Sequence, residues 1–354
     1  MSDTFRVGIV GVVSSYTLYY AHYLADVPNV EVVAAAHLNR EPRAIQASWN
    51  LPWLKSYPKT LDGYAERFGL RVYEQPEEMI GAEELDAVCI TTEDYLRIHH
   101  ALRATKQGVH VFVPKPFANN CDDAERMFDA ANRAGVVLLG SIPLRFNDAY
   151  VAASQVIDNG RIGRPISGHA QIVHHLTLGG WKSDPTMAAG PAYEMGFYIC
   201  DALRWLMRSE PAQVMALGAN LDHHGIPYID NGKCLIEFEN GALGSLTFYM
   251  STDFPFPARL TEIVGDEGAL RLLQEPKSGQ LQLEVYSRTE SEQISVDQGN
   301  MHKAELLHWI EKCRTGANPI PWQKEALRSL EFCAAFEQAC LRNQSGNDEV
   351  KREE

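Results

Sequence analysis

The sequence predicts an α/β chain: an N-terminal Rossmann-like domain with a parallel sheet, followed by an α+β domain with a large, mainly antiparallel open sheet. Three observations carry this. Over the first 140 residues, apolar runs of four to seven residues alternate with helical segments of ten to fourteen, the rhythm of βαβ units. Beyond that point strand-like runs follow one another, with turn pairs between them. The 354 residues also exceed what a single hydrophobic core usually serves.

The elements follow in order. FRVGIV at Phe5–Val10 is a short β-branched run suited to a buried strand, and residues 14–24 have helical potential. The Pro28-Asn29 turn leads into EVVAAA, a second strand over Val30–Ala36. Pro42 and Arg43 interrupt the stretch that follows, and a YAERFG helix ends at Gly69. LDAVCIT at 85–91 is the clearest strand; residues 98–107 form a helix closed by Gly108, and 109–113 a further strand. A helix over Cys121–Ala134 precedes a strand at 136–139. Parallel strands are covered on both faces, which accounts for their nearly continuous apolar character.

The helix at Asp148–Asp158 ends at Asn159-Gly160, and strands are expected at 166–173, 213–219, 232–239, 244–249, 261–265, 269–273 and 282–285. Asn231-Gly232 and Asn240-Gly241 read as turn pairs, the second with hairpin geometry. Residues 193–207 are the helical exception, and helices near 303–314 and 322–342 precede a polar tail with the composition of a disordered segment. The predicted domains are therefore 1–140 and 141–342, with the tail at 343–354.

Composition excludes several classes. A hydrophobic share of 45% with 22% charged residues is that of an ordinary globular protein. Lys and Arg total 32 against 46 Asp and Glu, a formal charge of −14 that repels phosphate backbones; with no basic stripe, no nucleic-acid partner is expected. No run of 18 apolar residues predicts a membrane span, and the apolar run in MSDTFRVGIVGVV lacks a basic segment before it and reads as a first strand. Seven scattered cysteines with no CxxC pair argue against a disulfide framework or structural zinc, so a cytoplasmic location is expected.

The first strand runs into Gly8-Ile9-Val10-Gly11-Val12-Val13-Ser14-Ser15-Tyr16. A dinucleotide fingerprint is GxGxxG, with glycines for the tight turn, the approach of the pyrophosphate and helix packing. Only Gly11 remains, with Val13 and Tyr16 in the other two places. Ser14 and Ser15 can compensate with hydroxyl and amide donors at the helix start. The acidic residue expected after the second strand is absent; His37, Leu38, Asn39 and Arg40 stand there, and without a carboxylate NADP is slightly favoured over NAD. The loop alone leaves two readings open, a nucleotide-binding domain or a Rossmann-like domain that binds nucleotide weakly or not at all.

Lys115, in His110-Val111-Phe112-Val113-Pro114-Lys115-Pro116, falls at the carboxyl end of a strand, where open parallel sheets hold ligands. The prolines on either side restrict its backbone. A lysine there can donate to a substrate hydroxyl and help pass its proton as a hydride leaves; the alternative is a surface lysine in a proline-rich turn. In GPAYEMGFYICDALRWLM, Glu194, Tyr198 and Asp201 fall along one helix face, beside an apolar stripe of Met195, Ile199, Ala202 and Leu206. That face is a proton-handling set, with Tyr198 as base or acid, or a partly buried surface making structural hydrogen bonds. His174 precedes a loop with Trp181 and Lys182 that can border a polar, ring-shaped ligand or merely anchor the loop. The paired histidines lack metal-ligand spacing, so no metal is expected.

Together the motifs resemble the glucose–fructose oxidoreductase / inositol dehydrogenase (Gfo/Idh/MocA) superfamily, as a divergent member with degenerate nucleotide-binding motifs. The resemblance runs from about residue 6 to 342, through VGIVG at 7–11, LDAVCITTEDYLRIHHALRATKQGVHVFVPKPFA at 85–118, NGRIGRP at 159–165 and AAGPAYEMGFYICDALRWLM at 188–207. It implies an NAD- or NADP-dependent oxidoreductase acting on a sugar, polyol or related hydroxy or carbonyl compound, with the open sheet forming homodimer or homotetramer contacts. By position, Lys115 matches the lysine of the EKP motif, Glu194 an aspartate before the glycine at 196, Tyr198 the catalytic histidine, and Asp201 the acidic residue three positions on. Thr92 and Asp94 match the cofactor-contacting TPN loop, with Glu93 replacing its proline. Pro114 replaces the glutamate of EKP, and Arg97 the histidine that ends the loop motif. Those departures leave two further accounts: a ligand-sensing or scaffold protein on the same fold, or a glycoside-cleaving enzyme that cycles a tightly held NAD.

Overall fold

The structure, a computed structural model, describes residues 4–37, 55–176, 178–252 and 258–350, with side chains as far as residue 342. Its chain forms two compact units: Met1–Ser141, Gly179–Ala189 and His302–Leu327 make the first, Ile142–Leu178, Gly190–Met301 and Arg328–Glu354 the second. The chain thus crosses between units more often than one boundary at residue 140 allows.

The first stretch runs β1 (Phe5–Val10), α1 (Ser15–Ala25), β2 (Val30–Ala36), α2 (Leu61–Phe68), β3 (Arg71–Tyr73), α3 (Pro76–Ala82), β4 (Ala87–Ile90), α4 (Arg97–Lys106), β5 (His110–Val113), α5 (Cys121–Ala134) and β6 (Leu138–Gly140). Its strands pair in parallel in the order β3-β2-β1-β4-β5-β6. The order reverses between β1 and β4, so the crevice for a ligand opens beyond the carboxyl ends of these two strands.

The second stretch holds α6 (Asp148–Asp158), β7 (Pro165–Val173), α7 (Phe197–Met207), β8 (Pro211–Ala219), β9 (Asn231–Phe238), β10 (Leu243–Tyr249), β11 (Arg259–Gly265), β12 (Ala269–Gln274), β13 (Leu281–Tyr286) and β14 (Ser291–Ile294). Helices α8 (Met301–Thr315) and α9 (Ile320–Val350) follow. The tail expected to be disordered is helical as far as Val350; polar residues can extend a helix once its nucleus exists, because propagation fixes one residue per new bond.

The core of the first unit explains the return of the chain. Val7, Ile9, Ala35, Cys89 and Phe112 of the sheet are fully buried with Tyr20 and Leu24 of α1. From α8, Trp309 packs against Phe112 at 5.4 Å between ring centroids and edge-on against Phe5 at 6.5 Å. Burying an aromatic of that size contributes about 2–3 kcal/mol.

The second sheet has the order β14-β13-β12-β11-β7-β10-β9-β8 and is antiparallel except for the parallel pair β7–β10. One face is covered by helices. A Cβ on Gly168 of β7 would meet Met207 Sδ of α7 at 2.6 Å, and one on Gly232 of β9 would meet the Phe336 ring of α9 at 2.9 Å. Asn231-Gly232 is therefore not the turn its dipeptide predicts: it lies inside β9, where the missing side chain lets a helix approach. Asn240-Gly241 does connect β9 to β10, with Gly241 at φ +80°. On the opposite face Met215, Leu217, Leu235 and Leu243 are 55–66% exposed.

Candidate active site

The carboxyl ends of β1, β4 and β5 gather most of the expected nucleotide residues. Gly11 takes φ +87°, and a Cβ there would meet the Thr92 backbone nitrogen at 2.8 Å. The turn is pinned from both sides: Thr91 Oγ1 donates to the Gly11 carbonyl at 2.6 Å and Thr17 Oγ1 at 3.1 Å. Ser14 occupies the N-cap of α1 in extended conformation but makes no side-chain cap; its hydroxyl instead points to the Thr91 carbonyl at 3.5 Å. No acidic residue occupies the first turn. The amides that open α1 at Ser15 thus lack a side-chain cap, an arrangement that suits an anionic group.

That geometry fits a dinucleotide in part. The tight turn and the uncapped helix start suit a pyrophosphate, whereas Val13, 4% exposed, places a side chain where the fingerprint has none. His37 follows β2 in place of the ribose-binding acid; it is buried, and its backbone N–H donates to the Tyr73 carbonyl at 2.9 Å. Asn39 and Arg40 lie outside the described residues.

Lys115 is 2% exposed, which removes the surface-lysine alternative. Its Nζ lies 5.8 Å from the centre of the Tyr16 ring, so the residue in place of the third glycine presents an aromatic face to the ammonium. Arg97, also 2% exposed, lies beside this turn. Its Nε and one terminal nitrogen donate to the Thr92 carbonyl at 3.2 and 3.1 Å. The other reaches the carbonyls of Pro114, at 3.4 Å, and Pro116. That same nitrogen pairs with Asp94 Oδ1 at 2.9 Å, while Asp94 Oδ2 accepts from the Ala189 N–H at 3.0 Å. Asp94, expected to contact a cofactor, is 3% exposed, with Oδ1 ion-paired to Arg97 and Oδ2 hydrogen-bonded to the Ala189 amide, an arrangement that braces the turn. Opposite charges at positions 94 and 97, three apart at a helix start, were the available sequence signal for this pair.

Trp181 and Lys182 fall in the segment that joins the first unit. The Trp181 ring is 7% exposed, and its indole Nε1 has no hydrogen-bond partner among the described residues. Lys182 Nζ stands 5.5 Å from the centre of that ring.

In the second unit the predicted single helix face is broken. Glu194 lies in a wide π-turn, Ala192–Gly196, and α7 begins only at Phe197, so the extra residue per turn removes Glu194 from regular i, i+4 register with Tyr198. Nor is α7 amphipathic: every residue from Phe197 to Arg204 is buried. Tyr198 has the Arg259 guanidinium 4.8 Å above its ring. Asp201 was expected to handle protons. Instead it is 1% exposed and accepts from Arg145 through both oxygens, at 3.1 and 2.9 Å, and from Ser329 Oγ at 2.7 Å. A carboxylate so enclosed and paired with a guanidinium orients its neighbours. A buried aspartate on an apolar helix needs a cationic partner, but nothing local identifies Arg145, 56 residues away. His174 is exposed, just beyond β7.

All seven cysteines are free, and burial pushes the Cys89 and Cys313 thiols well above the ordinary range. No helix among the described residues is long and apolar enough to cross a membrane.

Comparison with known proteins agrees with this layout. Residues 5–141 match the family described as an oxidoreductase family with an NAD-binding Rossmann fold, and residues 150–271 match the GFO/IDH/MocA C-terminal domain. A 1,5-anhydro-D-fructose reductase of Ensifer adhaerens is 28% identical over 285 residues, 77% of this chain and 83% of that protein. Inositol 2-dehydrogenase 3 of Saccharopolyspora erythraea is 22% identical over 344 residues, 95% and 93% of the two chains. Among solved structures, the aldose-aldose oxidoreductase of Caulobacter crescentus superposes with a TM-score of 0.80 at 20% identity, covering 96% of this chain and 98% of that one.

Proposed function

Since the chain belongs to the Gfo/Idh/MocA family of NAD(P)-dependent oxidoreductases, we propose that Lys115 and Tyr198 handle the hydroxyl proton as hydride passes to or from a sugar, polyol or related compound. The observation that carries this reading is the burial of Lys115 at the carboxyl end of β5, beside the Gly11 turn's own strand neighbourhood and braced by Arg97. A buried cation aimed at the ligand end of a parallel sheet suits a donor to the reacting oxygen. Bound nicotinamide supplies the hydride acceptor or donor. The chain's own part is to hold it: Gly11 and Val13 shape the turn, Ser14 and Ser15 offer donors at the start of α1, and Thr92 lines the turn's far side.

Tyr198 exchanges the proton, with Glu194 assisting; Asp201 and Asp94 act by orientation only. His174, Trp181 and Lys182 take the substrate, and the unpartnered Trp181 Nε1 is a ready donor to a sugar oxygen. NADP is preferred, because His37 leaves no carboxylate to repel a 2′-phosphate. The open face of the second sheet binds another copy of the chain, since Met215, Leu217, Leu235 and Leu243 form a patch of a kind monomers seldom expose.

The test is steady-state turnover on a panel of aldoses and polyols with either nucleotide, read by nicotinamide absorbance. Lys115→Met should lower kcat by about 10²–10⁴-fold while nucleotide affinity holds. Full turnover in that variant removes Lys115 from the mechanism. Tyr198→Phe should lower kcat by about 10²-fold while nucleotide affinity holds; unchanged turnover counts against its role.

A further inference from the structure

We propose that Arg97 is a positioning residue for Lys115 and that Asp94 and Arg97 are a matched pair, which rests on the reading of Lys115 as the donor to the reacting oxygen. Where the family pattern has neutral asparagine and histidine, this chain has a carboxylate and a guanidinium, and the two meet at 2.9 Å while each is buried. One nitrogen of the guanidinium reaches the carbonyls on both sides of Lys115, those of Pro114 and Pro116. The other two hold the Thr92 carbonyl, at the turn that a Cβ on Gly11 would strike. Asp94 extends the brace to a third segment through the Ala189 N–H, alongside the Tyr95 N–H, which donates to the Met187 carbonyl.

The chemistry of the fork is what the role requires. A guanidinium carries five N–H donors in a fixed plane, whereas a histidine offers at most two. Three carbonyls from two strand-end turns therefore close on one side chain, with Asp94 Oδ1 as its ion-pair partner, and the lysine between two of them is fixed with the turn. An arginine buried alone would be an uncompensated charge; Asp94 supplies the opposite one. Two changes that neutralise each other describe a turn rebuilt around its lysine rather than one left to drift.

The experiment uses full-length protein labelled with the heavy nitrogen isotope at lysine Nζ. The Lys115 ammonium resonance is assigned by its loss in Lys115→Arg. Arg97→Lys keeps the charge facing Asp94 but loses the fork, so thermal stability should fall by no more than about 3 °C while the Lys115 resonance moves. The exposed control Arg126→Lys should leave that resonance in place. Asp94→Asn and Arg97→His should each lower Tm by roughly 8 °C, and the double variant should recover at least half of that loss. An unmoved Lys115 resonance in Arg97→Lys overturns the positioning role, and additive losses in the double variant overturn the matched pair. A moved resonance in a protein that turns over no sugar or polyol supports the brace and counts only against the proposed reaction.

Discussion

The Gly11 turn and the Lys115 turn stand at carboxyl ends of one parallel sheet, and both depart from the pattern of their family, but in opposite ways. At the Gly11 turn the replacements, Val13 and Tyr16, are apolar and buried, and the amides that open α1 have no side-chain cap. Beside the Lys115 turn the replacements at positions 94 and 97 are charged and answer one another: Arg97 and Asp94 satisfy three carbonyls and an amide within the protein. One turn keeps helix amides that no side chain caps; the other is closed by side chains beside it. Counting departures treats the two alike, whereas hydrogen-bond accounting separates them.

Substitutions can break or sharpen that contrast. The largest effect is expected from Asp94→Ala, which leaves the Arg97 guanidinium buried without its partner and should cost about 3–5 kcal/mol in denaturant unfolding. A loss under about 1 kcal/mol would mean that the turn is not closed by this pair. Gly11→Ala comes next: a Cβ at φ +87° meets the Thr92 backbone, so stability should fall by about 2–3 kcal/mol and nucleotide affinity with it. Unchanged nucleotide affinity there would separate the turn from the ligand. Val13→Gly should act in opposite directions on the two quantities, costing about 2 kcal/mol of stability while tightening nucleotide binding roughly fivefold in calorimetry. Equal affinity in variant and parent would show that the Val13 side chain does not face the pyrophosphate.

A smaller, pH-dependent effect is expected away from both turns, where the 221–230 loop closes on Asp230. Burial pushes this carboxyl up, but the N–H groups of His223, Leu221 and Asp222 and the His223 ring outweigh it and hold the group at about 2. Its folded-state value lies below its unfolded one, so its contribution is present above about pH 4 and is lost as pH falls toward about 2. Melting temperature followed through that window should drop less steeply in Asp230→Asn than in the parent. Parallel curves would mean the carboxylate gains nothing from the loop.

Local structure was highly legible in the sequence, because it depends on local chemistry. The bounds expected for β1, β2, α5 and α6 from apolar runs and flanking Asn and Gly residues are those observed. The elements that escaped notice are short or polar: RVY of β3, PEEMIGA of α3 and the edge strand SEQI, β14, whose pairing with β13 rather than any apolar pattern makes it a strand. Gly232 was misread because a glycine that admits a helix and a glycine that makes a turn look alike in one dimension. At the site, residue types and places were legible, but partners were not. Asp201 and Asp94 read as reactive carboxylates until Arg145, Ser329, Arg97 and the Ala189 amide are seen to enclose them, and of these Arg145, Ser329 and Ala189 arrive from distant parts of the sequence. The π-turn that takes Glu194 out of register has no composition of its own.

On the proposed reading, the Gly11 turn binds a dinucleotide that serves Lys115. Calorimetric titration of NADH and of NADPH into protein stripped of any co-purified nucleotide tests it most directly. Saturable one-to-one binding is expected, weakened in Gly11→Ala and intact in Lys115→Met. Absence of heat at millimolar nucleotide, with either form, would contradict it.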